Sequence, residues 1–313
     1  GIQATFREAG HMLGSAHIVV QATEGDKQRT IVFSGDVGQP GKPLIRDPQP
    51  LAAADYLVLE STYGDREHFD SGNIGDQLRD IVGETLARGG NVVIPTFAVE
   101  RAQELMYYLS HLVHNNLIPD VPIFLDSPMA VDVTNVFLEF RDCYDQETWK
   151  RIHDGNPPLR FPGLKMTDSA EESRAINRVR QPAIIMATSG MCTSGRIKHH
   201  LRRNLPREEC TVVFVGYQAE GTLGRQILQR RPQVRIHGRM YPVRASVRQV
   251  YGLSGHADRS GLVDWVQGIQ QPPRQVFLTH GEMTAAESLA ETLRAQLGWN
   301  VAIPAYQEVA LIE

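Results

Sequence analysis

Cysteine is scarce in this chain of 313 residues: Cys143, Cys192 and Cys210 stand alone, and no CxxC pair occurs. An odd number of isolated cysteines argues against a disulfide scaffold and against a thiolate zinc site. Long apolar runs are also missing, since none approaches the roughly 20 residues that span a bilayer. The first residues, GIQATFREAG, lack the basic and apolar segments of a signal peptide. We therefore expect a cytoplasmic protein with no membrane partner.

Positive charge is concentrated in one block of the chain. The formal net charge is −4, but residues 196–248 hold 12 Lys/Arg against 3 Asp/Glu, a balance of +9. Arginine forks match phosphate oxygens, which would suit a nucleic acid. The alternative is a set of solvated faces whose acidic partners lie elsewhere in the fold. Charge alone leaves both interpretations open.

Short β-rich runs alternate with helical ones along most of the sequence. HIVVQAT (17–23) and TIVFSGD (30–36) predict a hairpin, and the strands that follow are separated by helical segments. Such alternation predicts crossover connections and a mainly parallel sheet. Residues 160–168 are typical of a loop, residues 234–255 of paired strands, and a last strand is expected at 309–313.

Polar residues stand in or next to several of the predicted strand ends. They are His11, Asp36, Glu60, His256 and His280. Ligands at the ends of successive strands converge on one edge of a sheet, and imidazole with carboxylate suits zinc and similar ions. Taken singly, each has an ordinary alternative: a histidine that caps or hydrogen-bonds, a turn aspartate before glycine, or a surface glutamate.

Five short segments make the pattern specific. AGHMLGSAHI, FSGDVG, LESTYGDREH, GLSGHAD and LTHGE follow one another in the order in which related motifs occur in a known family. With them the chain resembles the metallo-β-lactamase-fold nucleases that carry a β-CASP insertion. It is most similar to their RNA-processing branch, which includes the cleavage-and-polyadenylation endonuclease. PTFAVERAQELMYYL, LDSPMA, TSGMCTSGR and FVGYQAEGTLGRQI are similar to motifs of the insertion.

The resemblance implies an α/β fold with two domains. Residues 1–65 and 240–313 would form the C-terminal part of a metallo-β-lactamase αββα domain. Residues 66–239 would form the inserted α/β β-CASP domain, with a mainly parallel sheet. The insertion would cover the metal centre as a lid and leave a cleft for single-stranded RNA.

The same resemblance assigns roles to the five polar residues. Asp36 would bridge two metal ions, and His11 and His280 would each anchor one. His256 is the candidate general acid or donor to the developing phosphorane charge, with Glu60 orienting it and keeping it protonated. The alternative for His256 is a structural cap of the helix that follows.

The family's main metal motif, HxHxDH, is not present, because none of the eleven histidines forms an HxH pair. We expect two zinc ions in the intact protein but weak or no metal binding by this chain, since a zinc site normally has at least three protein ligands. A truncated form is favoured over a natural metal-free paralogue. An incomplete sheet would expose strand edges, so a homodimer is possible.

The function that we expect is metal-dependent hydrolysis of RNA phosphodiesters, endonucleolytic, 5′-exonucleolytic or both, in the intact protein. The alternatives are a non-catalytic RNA-binding scaffold subunit and a small-ester hydrolase of the same fold. Candidate phosphate contacts are Arg101 and the small-residue loop before a helix, in which Ser189, Gly190, Ser194 and Gly195 stand out. An ordinary strand-to-helix loop uses the same small residues, which is the alternative for that segment.

Overall fold

The computed structural model describes residues 1–68 and 73–312, which fall into two compact units. The first unit contains residues 1–68 and 254–312, and the second contains residues 73–253. The described strands are β1 Ile2–Glu8, β2 Ala16–Glu24, β3 Lys27–Phe33, β4 Tyr56–Glu60, β5 Val92–Pro95, β6 Ile123–Asp126, β7 Leu164–Thr167, β8 Ile184–Ala187, β9 Thr211–Phe214, β10 Gln233–Ile236, β11 Arg239–Pro242, β12 Ser246–Gln249, β13 Gln275–Thr279 and β14 Val301–Ala302. The described α-helices are α1 Ile74–Ala87, α2 Arg101–His114, α3 Pro128–Glu139, α4 Gln146–His153, α5 Ala170–Ile176, α6 Ile197–Asn204, α7 Leu223–Leu228, α8 Arg259–Gln267 and α9 Met283–Leu297.

One mixed sheet forms the centre of the first unit, in the order β1-β2-β3-β4-β13-β14. Strands β1 to β3 pair antiparallel, as the predicted hairpin requires, whereas β3, β4, β13 and β14 run parallel. In the register, Thr279 of β13 lies beside Glu60 of β4. The carboxyl ends of the parallel strands therefore meet at one edge of this sheet.

The first unit's core lies between its sheet and its two helices. Alternate residues of β4 and β13 are fully buried and meet the apolar residues of α8 and α9, as the two- and 3.6-residue periods require. Asp258 caps the start of α8 by accepting a hydrogen bond from the Gly261 N–H, and Gly298 ends α9 with a φ of 68°. The strongly buried members are Leu57, Leu59, Leu262, Val266, Val276, Leu278, Leu289 and Leu293.

The second unit has a wholly parallel sheet in the order β12-β9-β5-β8-β6-β7. Its four central strands, β9, β5, β8 and β6, are buried along their whole length. Continuous apolar strands are typical of parallel sheets covered on both faces. The predicted α/β class with a mainly parallel sheet is thereby confirmed.

A small hairpin accompanies this sheet. Strands β10 and β11 pair antiparallel around His237 and Gly238, whose φ angles of 48° and 79° suit a two-residue turn of the hairpin type. Val234 and Ile236 of β10 pack into the same core as Ile197 of α6. The pairing predicted within residues 234–255 is confirmed for β10 and β11, while β12 joins the large sheet beside β9.

Two predictions about single strands are wrong. Leu164–Thr167, in the stretch predicted as a loop, forms edge strand β7, because its extended backbone pairs with β6. The preceding Pro162-Gly163 is what made the sequence typical of a loop. The last described strand is Val301–Ala302, whereas residues 309–312 are exposed and form no strand. Apolar residues alone do not make a strand when no neighbouring strand offers hydrogen bonds.

By contacts, β11 and β12 belong to the second unit, although the resemblance assigns residues from 240 onward to the first domain. The domain limits at 65/66 and 239/240 remain a prediction. In the described part of the chain no helix combines the length and the apolar character that crossing a bilayer requires.

Candidate active site

The five polar residues singled out in the sequence all lie in the first unit, at the carboxyl edge of its sheet. Glu60 is the last residue of β4, His280 follows β13, and Asp36 lies three residues beyond β3. His11 lies in the turn between β1 and β2, and His256 lies just before α8. The parallel register of β3, β4 and β13 is what brings residues so distant in sequence to one place.

Asp36 lies between two histidines and directs one carboxylate oxygen at each. Its Oδ2 is 3.8 Å from Nε2 of His11, and its Oδ1 is 3.1 Å from Nδ1 of His280. The His11 side chain is 11% exposed, whereas that of His280 is 60% exposed. The arrangement is that of a carboxylate shared between two imidazoles, one enclosed and one open.

Glu60 and His256 form the second pair of the site. Both oxygens of Glu60 lie 3.1 Å from Nδ1 of His256, and one of them also accepts the Val37 N–H at 2.6 Å. Burial alone would raise the pKa of Glu60, which is 1% exposed, but the hydrogen bonds from His256, Thr62 and Val37 lower it. Burial would lower the pKa of His256, and the adjoining Glu60 carboxylate outweighs it and raises that pKa.

The pKa of His11 is shifted in the opposite direction to that of His256. Burial and the neighbouring His256, whose ring centroid is 4.4 Å away, lower the pKa of His11 and favour the neutral imidazole. Its Nδ1 makes no well-aligned hydrogen bond within the described residues, although the Gly255 backbone lies beside it. A Cβ on Gly255 would come within 2.9 Å of the ring, so the glycine leaves the space that His11 occupies.

Close backbone approach fixes the turn that carries His11. Ser15 Oγ accepts the N–H groups of His11 and Met12, and Gly38 N–H donates to the Ala9 carbonyl. A Cβ on Gly38 would come within 1.8 Å of a carbonyl oxygen of this turn, that of Gly10. Only glycine permits this approach, and it holds the His11 turn against the segment that contains Asp36.

Three residues that were not singled out in the sequence support the site. Thr62 Oγ1 donates to the His280 carbonyl at 2.9 Å, and the His256 carbonyl lies 2.9 Å from Nε2 of His68. Asp258 accepts the His68 N–H at 2.9 Å while also capping α8. They lie within the quoted segments LESTYGDREH and GLSGHAD. The motifs could therefore have indicated these residues, although their residue types alone could not.

The donor set suits a divalent metal ion of the zinc type. His11, Asp36 and His256 each offer a ligand atom, and these atoms lie within 4.8 Å of one another. Two donors that share a tetrahedral zinc at about 2.0–2.2 Å lie about 3.3–3.6 Å apart. The distances from Asp36 to His11 and His280 bracket that range, so the residues present fit an ion beside Asp36.

The predicted phosphate contacts lie in the second unit. The Arg101 guanidinium pairs with Glu104, and its side chain is 13% exposed. Ser189 Oγ accepts the N–H groups of Thr193 and Ser194, so the hydroxyl closes its own loop. Whether these residues bind phosphate stays a prediction.

Two loop glycines in the predicted phosphate site have clear packing roles. A Cβ on Gly190 would lie 2.7 Å from the Phe97 ring, and one on Gly195 would lie 2.3 Å from the Thr188 carbonyl oxygen. Gly195 also has a φ of 76°. Gly195 therefore requires glycine for the fold of the loop, while Gly190 leaves the space that the Phe97 ring occupies, and both roles agree with an ordinary strand-to-helix loop.

Only part of the basic block is neutralised by ion pairs. Arg196, Arg207 and Arg248 pair with Asp126, Glu209 and Glu84. Within the described ranges no ion pair involves the remaining arginines, which are Arg202, Arg203, Arg225, Arg230, Arg231, Arg235, Arg239 and Arg244. The second unit thus carries an excess of free positive charge.

Histidines and carboxylates gathered at the carboxyl edge of an α/β sheet define a candidate metallohydrolase centre. Comparison with known families gives the same class: the Beta-Casp domain family matches residues 102–227, and the Zn-dependent metallo-hydrolase RNA specificity domain family matches residues 240–304. This chain belongs to the β-CASP family of metallo-β-lactamase-fold RNA nucleases.

Individual relatives agree with this placement. Ribonuclease TTHA0252 of Thermus thermophilus is 41% identical over 307 residues, covering 98% of this chain and 69% of the relative. Transcription termination factor FttA is 34% identical in Methanosarcina mazei and 32% identical in Methanocaldococcus jannaschii, covering 95% and 94% of this chain. The chain spans about half, 47%, of the length of both factors.

Proposed function

We propose that this chain supplies part of the catalytic centre and the RNA-binding surface of a metal-dependent ribonuclease that hydrolyses phosphodiester bonds in single-stranded RNA. The observation that carries the proposal is the gathering of His11, Asp36, Glu60, His256 and His280 at one sheet edge, with Asp36 between two imidazoles. The free arginines of the second unit and the relative named as a ribonuclease support RNA as the substrate.

In this proposal His11, Asp36 and His280 hold metal. When bound, a divalent ion there would polarise the phosphate and provide hydroxide at neutral pH. Asp36 directs one oxygen at each histidine, and its negative charge would offset the positive charge of metal held there. The lowered pKa of His11 keeps its imidazole neutral, which is the form that ligates.

His256 has a different task, although it lies near enough to be a ligand. Glu60 holds its Nδ1 and raises its pKa, which favours the charged imidazole, the form that donates a proton rather than ligates. Its proton is instead available to the leaving oxygen of the cleaved phosphodiester. Glu60 acts through His256: it fixes the ring and favours its charged form.

The ligands of this chain are too few for two metal ions. Three donors shared between two positions fall short of the three or more protein ligands that a zinc normally has. We therefore expect this chain alone to bind zinc weakly and to be inactive, with the missing ligands coming from an HxHxDH segment. Weak binding and inactivity are proposals about this chain on its own, and two-metal activity is the proposal for the intact enzyme.

Strand β1, at the edge of the first unit's sheet, is a candidate surface for binding a second polypeptide chain. All but the last of its seven residues are exposed, including Ile2 at 81% and Phe6 at 70%. An uncovered edge strand pairs readily with another chain. A second copy of this chain is the partner that we propose. Phe6→Glu should then shift a dimer to monomer in sedimentation velocity, and a wild-type chain that is monomeric throughout would exclude it.

The function is tested by cleavage of a labelled single-stranded RNA with zinc, using a polypeptide that joins this chain to an HxHxDH segment. His256→Ala should abolish cleavage and leave the metal content unchanged, whereas Asp36→Asn should lose both. Metal loss in His256→Ala would make that residue a ligand, and full cleavage would remove it from the mechanism. RNA binding without cleavage by the wild type would favour the scaffold subunit instead.

A further inference from the structure

An exposed aromatic ring lies just beyond the carboxyl end of a central strand in the second unit's sheet. Phe97 follows β5, which lies between β9 and β8, and 42% of the residue is open to solvent. In sheets of this kind, ligands bind beyond the carboxyl ends of the strands, which is where Phe97 lies. An exposed phenyl ring at that position is costly in water unless something covers it.

The loops on both sides hold the ring in place. Its Cδ2, Cε2 and Cζ atoms lie 2.7–3.0 Å from the place where a Cβ of Gly190 would be, and its Cε2 atom lies 3.9 Å from that of Gly216. Two positions without side chains, one after β8 and one after β9, thus make room for one part of the ring. The remainder of the ring stays open.

A buried amide locks these two loops together. Gln218, 3% exposed, donates from Nε2 to the carbonyls of Gly190 at 3.0 Å and Tyr217 at 3.1 Å. The orientation of the Phe97 ring is therefore fixed in the absence of ligand. Binding to a ring already in place loses little conformational entropy.

The surroundings suit a nucleic acid. The loop after β8 is small and polar, and residues 196–248 of the same unit carry the balance of +9. Nε of Arg225, two residues into α7, is buried and has no hydrogen-bond partner in the described part of the chain. A positively charged unit that also exposes an aromatic ring matches the pattern of proteins that bind single strands, where bases stack and the backbone meets positive charge.

We propose that Phe97 is a stacking platform for one nucleobase of single-stranded RNA. The inference rests on the proposed RNA function and adds to it the contact that holds a base. The ring offers no hydrogen-bonding group, so it accepts any base by its flat face and confers affinity without sequence preference. Gly190 and Gln218 are positioning residues in this arrangement.

The test is fluorescence anisotropy of a labelled single-stranded RNA titrated with the chain and its variants. Base stacking contributes about 1–3 kcal/mol, so Phe97→Ala and Phe97→Leu should weaken binding about 5- to 150-fold. Phe97→Trp should keep the affinity, and its indole fluorescence should be quenched by RNA. Phe140→Ala is the control, because Phe140 is equally aromatic and 53% exposed but follows α3.

A second arm separates the stacking from the fold. Gly190→Ala leaves Phe97 in the chain but pushes its ring, so it should weaken RNA binding while circular dichroism stays unchanged. An oligomer of abasic ribose phosphates should bind the wild type and Phe97→Ala equally. Wild-type affinity in Phe97→Ala, equal losses in Phe97→Ala and Phe140→Ala, or an unquenched Phe97→Trp would each overturn the platform. A wild-type chain that binds no RNA at all would overturn the proposed function with it, and binding of acidic peptides alone would assign the ring to a protein partner.

Discussion

Replacement of Glu60 is the perturbation whose cost follows most directly from the structure. The carboxylate is 1% exposed, and its two closest donors are the Val37 N–H at 2.6 Å and Nδ1 of His256 at 3.1 Å. A buried polar group left without a partner costs about 1–3 kcal/mol. Glu60→Ala abandons both donors and should lower the free energy of unfolding by about 2–6 kcal/mol. Glu60→Gln keeps an acceptor for Val37 and should cost about 1–3 kcal/mol.

Urea unfolding followed by tryptophan fluorescence measures both values. Two of the three tryptophans, Trp265 and Trp299, lie buried in the core of the first unit and report on it. Glu24→Gln, at an exposed end of β2, is the matched control and should stay within about 0.5 kcal/mol of the wild type. If both Glu60 variants unfold like that control, or if the glutamine costs more than the alanine, the reasoning about buried donors is refuted.

Three further predictions concern other parts of the fold. Burial lowers the pKa of His17, so the unfolded chain binds the proton more readily and wild-type stability should fall as pH drops below about 6.5; His17→Phe should lose less stability than the wild type in unfolding measured from pH 8 to 5, while His11 still contributes in both. Asp126 is fully buried among several donors that lower its pKa, and Asp126→Asn should cost about 3 kcal/mol near neutral pH and less in acid, where the carboxylate's advantage is lost, by the same assay. Gly38→Ala forces a Cβ to within 1.8 Å of the Gly10 carbonyl oxygen and should lower the thermal midpoint sharply, while Gly83→Ala, with open space around it, should raise or keep it.

The sequence indicated where the candidate site residues gather better than it indicated the elements around them. Asp36, Glu60 and His280 stand at the ends of strands whose apolar runs are easy to recognise, and a parallel sheet brings such ends together. The family resemblance predicts the pairing of Glu60 with His256. The geometry of that pair also depends on the Val37 N–H, and no sequence pattern predicts a hydrogen bond from a particular backbone N–H. Strand β7 was missed because its four residues are extended only through their neighbour β6.

The loop after β8 shows a second limit. Its glycines suggested a phosphate cradle, since small residues before a helix permit close backbone approach. The structure shows that Gly190 makes room for the ring of Phe97, 93 positions earlier in the sequence. A contact of that kind depends on the order of strands in the sheet, which neither composition nor periodicity contains.

Zinc affinity tests the central claim most directly, because it asks whether His11, Asp36 and His280 form a partial ligand set with His256 outside it. Calorimetric titration of this chain should give binding weaker than micromolar. Asp36→Asn should abolish it, and His256→Ala should leave it unchanged. Sub-micromolar binding by the wild type, or its loss in His256→Ala, would contradict the account.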